Sequence, residues 1–429
     1  MHPLVHATGQ RPELVTSAWA SKGFRWLWTG STVSSFGSEI SELALPLLVL
    51  VTLSGSPGEL GLLRVAQFLP FLLAALPLGL LVDRSRRRPL MIGADLGRFA
   101  LIALIPLSLW LDAASMMLLC ALIFGAGVLT VLYQMADFAF LPAVITVDQL
   151  SDANAKIAAT QSATEIGGRG IGGLLVQSLT APIALAGDAL TYLLSAISLS
   201  RITVDEQVPE RTRRSPVREV ALGFRVVASN AYLRALLGGA TTFNVFQEVF
   251  TIGFMLYAVR DLSISPAGLG AILVAGGAGS FAGAWFGSRL TARWSYGRVL
   301  LAALALGNTA PLAAFLAAPL AAWAFELLIG VFFVMSIGIG ISNAHAITIR
   351  QVAAPIHLRG RVNAAYRLIT WGGIPVGAVG GGLLASRLGN SPTMLAGAVG
   401  LATATLWILC SPIRKLRSVQ QAAPHEHAA

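Results

Sequence analysis

Glu39 and Glu42 lie in SSFGSEISELALPLLVLV, residues 34–51, where nearly every neighbour is small or apolar. A third acid, Glu248 in FNVFQEVF, lies 209 positions after Glu39, and each of the two follows an arginine, Arg25 or Arg234, by fourteen residues. At the helical rise that is roughly 21 Å of travel, deep inside a hydrocarbon core about 30 Å thick. An isolated charge at that depth costs at least about 2.5–3.5 kcal/mol on insertion scales, so such acids face a cavity or a partner. Desolvation favours the neutral form of a carboxylic acid, so an acid there can hold a proton on one side of a membrane and trade it for substrate on the other. Glu39 is the first candidate for that proton-coupling role and Glu248 the second. Glu42, on nearly the same face as Glu39, and Glu326, about one-third of the way in from the outer face, follow. The plainer alternative is that these acids only cap a helix or bond to Ser and Thr in the bundle.

Glu165 and Arg169 in ATEIGGRGIGGLLV are four residues apart and share a helical face as an ion pair. They belong to a substrate cavity, or the pair is purely architectural. The glycines around them, 167, 168, 170, 172 and 173, permit close approach of a second helix backbone. Phe36, Phe243 and Phe246 are candidates for a greasy wall of the same cavity, or plain packing. Asp188 is a further buried acid. Cys120 and Cys410 both fall in apolar runs, so neither a disulfide framework nor a CxxC metal site is available. No metal or cofactor is expected.

The elements that must position these residues are set by composition. Of 429 residues 55% are hydrophobic and only 12% charged, against about 25% charged in a soluble domain. The mean hydropathy is +0.73. The net charge of +10 lies in short clusters between apolar runs rather than along one face, which speaks for a lipid bilayer as partner and against nucleic acid. Runs near the length needed to span a membrane fall at about 24–52, 59–82, 89–111, 114–137, 154–178 and 181–200, then about 233–259, 265–288, 297–317, 319–346, 363–386 and 391–411. The expected fold is all-α and integral to the membrane, with twelve transmembrane helices in two pseudo-symmetric six-helix bundles.

The expected domain limits are an N-terminal tail at 1–23, a first bundle at 24–200, a linker at 201–232 ending in a short amphipathic helix, a second bundle at 233–411 and a tail at 412–429. The 209-residue offset also carries SGSPGELG (54–61) onto SISPAGLG (263–270) and the GGLL at 172–175 onto that at 381–384. The chain is thus a parallel duplication, the architecture of a transporter that rocks around a central site. Lysines and arginines cluster at one end of the spans, at 84–88, 211–218 and 414–417 among others, with Arg260 and Arg387 at the other. Positive charge is retained in the cytoplasm, which puts both termini there.

After the second span the chain reads GLLVDRSRRRPL. The run Gly79-x-x-x-Asp83-Arg84-Ser85-Arg86-Arg87-Arg88 resembles the major facilitator superfamily signature G-x-x-x-D-R-x-G-R-R, with Arg86 replacing the second glycine. That variant is similar to the branch holding the enterobactin exporter and the macrolide and multidrug efflux proteins. LPAVITVDQLSDANA (141–155) and LRGRVNAAYRLITWGGIPVGAVGGGLLA (358–385) resemble the same branch. Physically, Asp83 can bond to the N-terminal amides of a helix in the other half, while Arg84, Arg87 and Arg88 reach acids such as Asp95 or Asp137. These bonds form a gate latch that breaks when the inner side opens.

The resemblance implies a monomeric exporter in the bacterial inner membrane, and the arginine-rich, lysine-poor composition agrees with a bacterial source. The function expected is proton-coupled export of an amphipathic small molecule, a drug, antibiotic or siderophore. A facilitator or importer of the same fold, or a transporter-like sensor, is the alternative. No lysine follows a glycine in a GxxxxGK[ST] loop, and neither G-x-S-x-G nor H-E-x-x-H occurs, which argues against a primary pump or a membrane hydrolase. The topology has a direct test. Cysteines placed at Ser85 and Ser56 should react with an impermeant maleimide from opposite sides of the membrane; labelling of both in intact cells would break the orientation argument.

Overall fold

The computed structural model describes residues 17–204, 206 and 216–423. Most of the expected N-terminal tail, Arg11 with it, lies outside these residues, as do Arg211, Arg213 and Arg214 of the linker and the last six residues. Helices α1 (Lys22–Leu47), α2 (Pro57–Leu73), α3 (Ala75–Asp83), α4 (Arg87–Trp110), α5 (Met116–Val144), α6 (Leu150–Leu179) and α7 (Ala181–Ser200) form the first half. The expected linker helix is α8 (Pro216–Ser229). In the second half are α9 (Ala231–Leu256), α10 (Pro266–Thr291), α11 (Tyr296–Thr309), α12 (Ala324–Ala353), α13 (Arg359–Leu388) and α14 (Asn390–Leu409). No strand occurs among the described residues.

Ten of the spans are long and apolar enough to cross a membrane, and α2 with α3 makes an eleventh, bent by 48°. Pro70 lies inside α2 one turn before the bend, where a proline removes a helix hydrogen bond. The twelfth expected span is α6. It has 30 residues, yet with Asp152, Lys156, Glu165 and Arg169 it is too polar to qualify on composition. It lies against α1 and α10, and α1 supplies Glu39 as a partner for its Arg169.

The duplication is repeated in the backbone. Ser21 caps α1 and Asn230 caps α9. Each of those helices ends in a π-helical turn, Leu48–Thr52 and Tyr257–Asp261. Each turn is followed by a serine at positive φ, Ser54 at 50° and Ser263 at 52°. Ser56 and Ser265 then cap α2 and α10, each ahead of a proline in the first turn. Packing follows suit: α1 lies against α6 and α7, and α9 against α13 and α14; α4 lies against α5 and α7, and α11 against α12 and α14.

The two halves meet along α2 with α13 and α6 with α10. At both crossings glycines face glycines. A methyl on Gly61 would stand 2.7 Å from the carbonyl oxygen of Ala378 and 3.1 Å from the Cα of Gly382, and one on Gly173 would stand 2.6 Å from the carbonyl oxygen of Pro266. These approaches lie near the end of the bundle away from the chain termini, here called the distal end. There, too, Arg260 Nη2 donates to the Gly55 carbonyl at 2.5 Å and the Ala267 amide donates to Gln177 Oε1 at 3.1 Å, both across the halves. At the proximal end, the C-terminal segment docks on α11 through Gly297 N to Leu416 O at 2.9 Å, with Ile413 and Leu416 buried. Overpacking a close contact costs about 1–3 kcal/mol. Gly61→Ala should therefore lower the thermal unfolding midpoint in detergent, while Gly93→Ala, with nothing within 4 Å, should not; equal midpoints would contradict the crossing.

Candidate functional site

Between the halves lies a cavity of about 340 Å³. Its first-half wall carries charge. Arg169 Nε of α6 donates to Glu39 Oε2 of α1 at 2.9 Å, and Arg169 Nη1 lies 3.2 Å from Glu165 Oε1. The expected Glu165–Arg169 pair is therefore present, with Glu39 as a second acceptor. Arg169 and Glu165 line the cavity, and Glu39 meets it through Arg169. The Cβ of Glu39 rests on Gly168, and that of Glu248 on Gly377, the glycine 209 residues on.

Glu248 has a different partner. Arg64 of α2 donates through Nε to Glu248 Oε1 at 2.5 Å and through Nη2 to Oε2 at 3.2 Å, while its Nη1 donates to Glu42 Oε1 at 2.6 Å. Gln67 Nε2 donates to Glu42 Oε2 at 2.6 Å. The side chains of Arg64 and Glu248 are 9% and 7% exposed, so this group is nearly sealed. Two guanidiniums thus stand among four carboxylates. Removing one partner of a buried pair leaves a bare charge and costs about 3–5 kcal/mol, which is why such pairs hold their geometry. The second-half wall is softer. Phe243, Phe254, Phe332 and Met335 supply apolar surface, with Gln247, Thr251 and Ser336 among them.

Several expected site residues lie elsewhere. Glu326 is exposed in the first turn of α12, where an acid suits the helix dipole, and it does not line the cavity. Phe246 packs on Gly400 of α14 and Phe36 on Gly167 of α6, so of the three aromatic candidates Phe243 alone reaches the cavity. Asp95 is not a partner of the basic loop. It is buried and bonded to Arg98, whose guanidinium lies 4.4 Å from the ring centres of both Tyr133 and Tyr192. An arginine one turn away on the same helix neutralises Asp95 at less conformational cost than a loop can.

The loop arginines bind other groups. The Arg87 and Arg88 amides donate to Glu206 at 2.5 and 3.1 Å, and the Arg88 guanidinium donates to the Leu199 and Ser200 carbonyls at 2.9 and 2.6 Å. A cation on the last carbonyls of α7 also complements that helix's dipole. Asp83 and Arg84 are exposed, and Asp83 has no hydrogen-bond or ion-pair partner among the described residues. Gly79 has room for a methyl, its nearest neighbour being Met135 Sδ at 3.9 Å. Nothing in the structure explains a need for glycine there.

Sequence reasoning missed the central position of Arg64 and the part played by Glu206. A charge balance over the spans narrows the search for the first, since Glu42 and Glu248 need a cation and Arg64 is one of the few arginines, with Arg98 and Arg367, left unassigned within them.

A family profile described as transmembrane secretion effector matches residues 16–428. The multidrug efflux pump Tap of Mycobacterium tuberculosis is 27% identical over 405 residues, covering 91% of this chain and 94% of that protein. Macrolide efflux protein A of Streptococcus pyogenes is 27% identical over 218 residues, which span 50% of this chain and about half, 53%, of that relative. Among solved structures, an inward-facing, occupied bacterial homolog of the human lysosomal transporter Spinster superposes with a TM-score of 0.71 at 15% identity, covering 91% of this chain and 97% of that one. The nucleoside transporter NupG gives 0.71 at 10% identity, covering 91% and 98%. At such identities the structures speak for the fold alone. A match that begins at residue 16 and ends at residue 428, on a two-bundle fold shared with solved transporters, makes this chain a member of the transmembrane secretion effector family of the major facilitator superfamily.

Proposed function

We propose that the protein exports an amphipathic small molecule from a bacterial cell in exchange for protons, by alternating access to the central cavity. The carrying observation is the cavity's mixed chemistry: Glu42, Arg64, Glu165 and Arg169 line it, with Glu39 and Glu248 bonded to the two arginines, and aromatic and thioether groups of the second half complete the lining. With all six groups ionised the two clusters together carry an excess of two negative charges, which favours a cationic amphiphile or protons as alternative occupants. Export is supported by the names of the relatives, a multidrug efflux pump and a macrolide efflux protein. The protein acts as a monomer with both termini in the cytoplasm, so the glycine crossings close the outer side and the cavity is reached from within. In that state the Asp83 latch is undone, in keeping with a carboxylate that has no hydrogen-bond or ion-pair partner among the described residues.

Glu39 is the exchangeable acid. It is 27% exposed, and its arginine keeps Glu165 when Glu39 is neutralised. Glu39→Gln should fold normally, abolish accumulation driven by a pH gradient in proteoliposomes, and still let substrate equilibrate down its own gradient. Uphill transport by this variant with protons as the sole driving force would remove Glu39 from the role. It would also return the choice to Glu42 or Glu248.

Asp83→Asn should leave thermal stability and ligand binding unchanged, since the carboxylate has no hydrogen bond or ion pair among the described residues in this state, and reduce transport severalfold by weakening the closed inner gate. Full transport by Asp83→Asn would reduce the loop to a topological flank. A sensor would bind ligands without moving protons, so substrate-induced alkalinisation of acidified everted vesicles separates that alternative from antiport.

A further inference from the structure

The pseudo-symmetric acids are tied down asymmetrically. Glu39 is held by Arg169 from its own half, whereas Glu248 of the second half is held by Arg64 of the first. Of the ion pairs among the described residues, Arg64–Glu248 is the one that crosses between the halves. Arg64 lies less than one helical turn from Gly61, whose contact with Ala378 and Gly382 brings the distal ends together. The place equivalent to Arg64 beside the other crossing is Leu273, so no second bond of this kind duplicates it. Three further contacts fix the guanidinium on the first half: Glu42, Gln67 Oε1 at 3.1 Å and the Phe68 ring at 4.8 Å. Breaking the cross-half bond therefore leaves Arg64 anchored and partnered, while Glu248 moves away with α9.

We propose that Arg64 is an interlock between the halves. Its two-pronged bond to Glu248 holds the distal end shut, and a proton on Glu248 releases it. Binding at Glu39 leaves the seam untouched; occupation of Glu248 opens it. The two acids thus divide the work, and Arg64 serves as a positioning residue that turns occupancy into movement. This assignment rests on the transport reading above, but its test needs neither substrate nor gradient.

The reporter is a cysteine pair at Gly58 and Ser386, on opposite halves at the distal end, where a Cβ on Gly58 would lie 3.8 Å from Ser386 Oγ. The control is a pair at Asp261 and Asn390, hydrogen-bonded at 2.9 Å within the second half. Both are built with Cys120 and Cys410 replaced by serine, and oxidative cross-linking rates are compared at one pH. Glu248→Gln is expected to slow the cross-half pair about fivefold or more relative to the control. Arg64→Lys, with one point of attachment, should fall between it and the parent, and Glu39→Gln should match the parent. An unchanged ratio in Glu248→Gln, or an equal slowing by Glu39→Gln, overturns the interlock. Loss of the control pair in every Arg64 and Glu248 variant does so too, since Arg64 would then be a folding determinant. A slowed ratio in a protein that transports nothing would uphold the interlock and sink the exporter reading.

Discussion

The rest of this molecule depends on one constraint: a charge carried into a water-poor bundle must bring a partner. Glu39, Glu42, Glu165 and Glu248 bring Arg64 and Arg169, while Asp95 brings Arg98. Because a lost partner costs several kcal/mol, each group fixes the spacing of the helices that supply it. The first triad joins α1 to α6 and the second joins α1, α2 and α9. The cavity is what remains between these two ion-pair clusters once glycines have closed its distal end.

Duplication gives the two halves the same backbone but not the same filling. In the first half Ser41 donates to the buried Asp188, which Thr191 also contacts. The equivalent positions in the second half are Phe250 and Gly397, and there the backbone of Phe250 lies directly against the glycine, while its ring faces Phe254 and Phe332. One slot is closed by a hydrogen bond and the other by close approach of two backbones. Tyr192, stacked on Arg98, corresponds to Leu401 in the same way. At this slot the first half has directional bonds to lose, whereas the second is held by close packing.

Much of this was legible in the sequence because the signals are local or periodic. Span positions follow from apolar runs, the duplication from a constant offset, and the Glu165–Arg169 pair from a four-residue spacing. What stayed hidden depends on three-dimensional meetings between distant segments. Arg64 reads as a lone cation in its span until α9 brings Glu248 to it. Asp95 reads as an acceptor for a nearby basic loop until Arg98 is seen to lie on its own side of α4. Glu326 reads as buried when the apolar run is counted from about 319, yet α12 starts at Ala324 and leaves the acid in an exposed first turn. Depth counted along a sequence is only as good as the residue from which counting starts.

The polarity of α6 bears on how the protein is made. A helix carrying Asp152, Lys156, Glu165 and Arg169 has little tendency to partition into lipid by itself. Its arginine is neutralised by Glu39, on a helix synthesised more than a hundred residues earlier, and its glycines rest against that helix at Ile40. Glu165 gives that arginine one counter-charge within α6 itself, and α1 supplies the second, so α6 is better matched to the bilayer beside α1 than alone. The Glu39–Arg169 bond that furnishes the mature cavity thus also favours the pairing of these two helices.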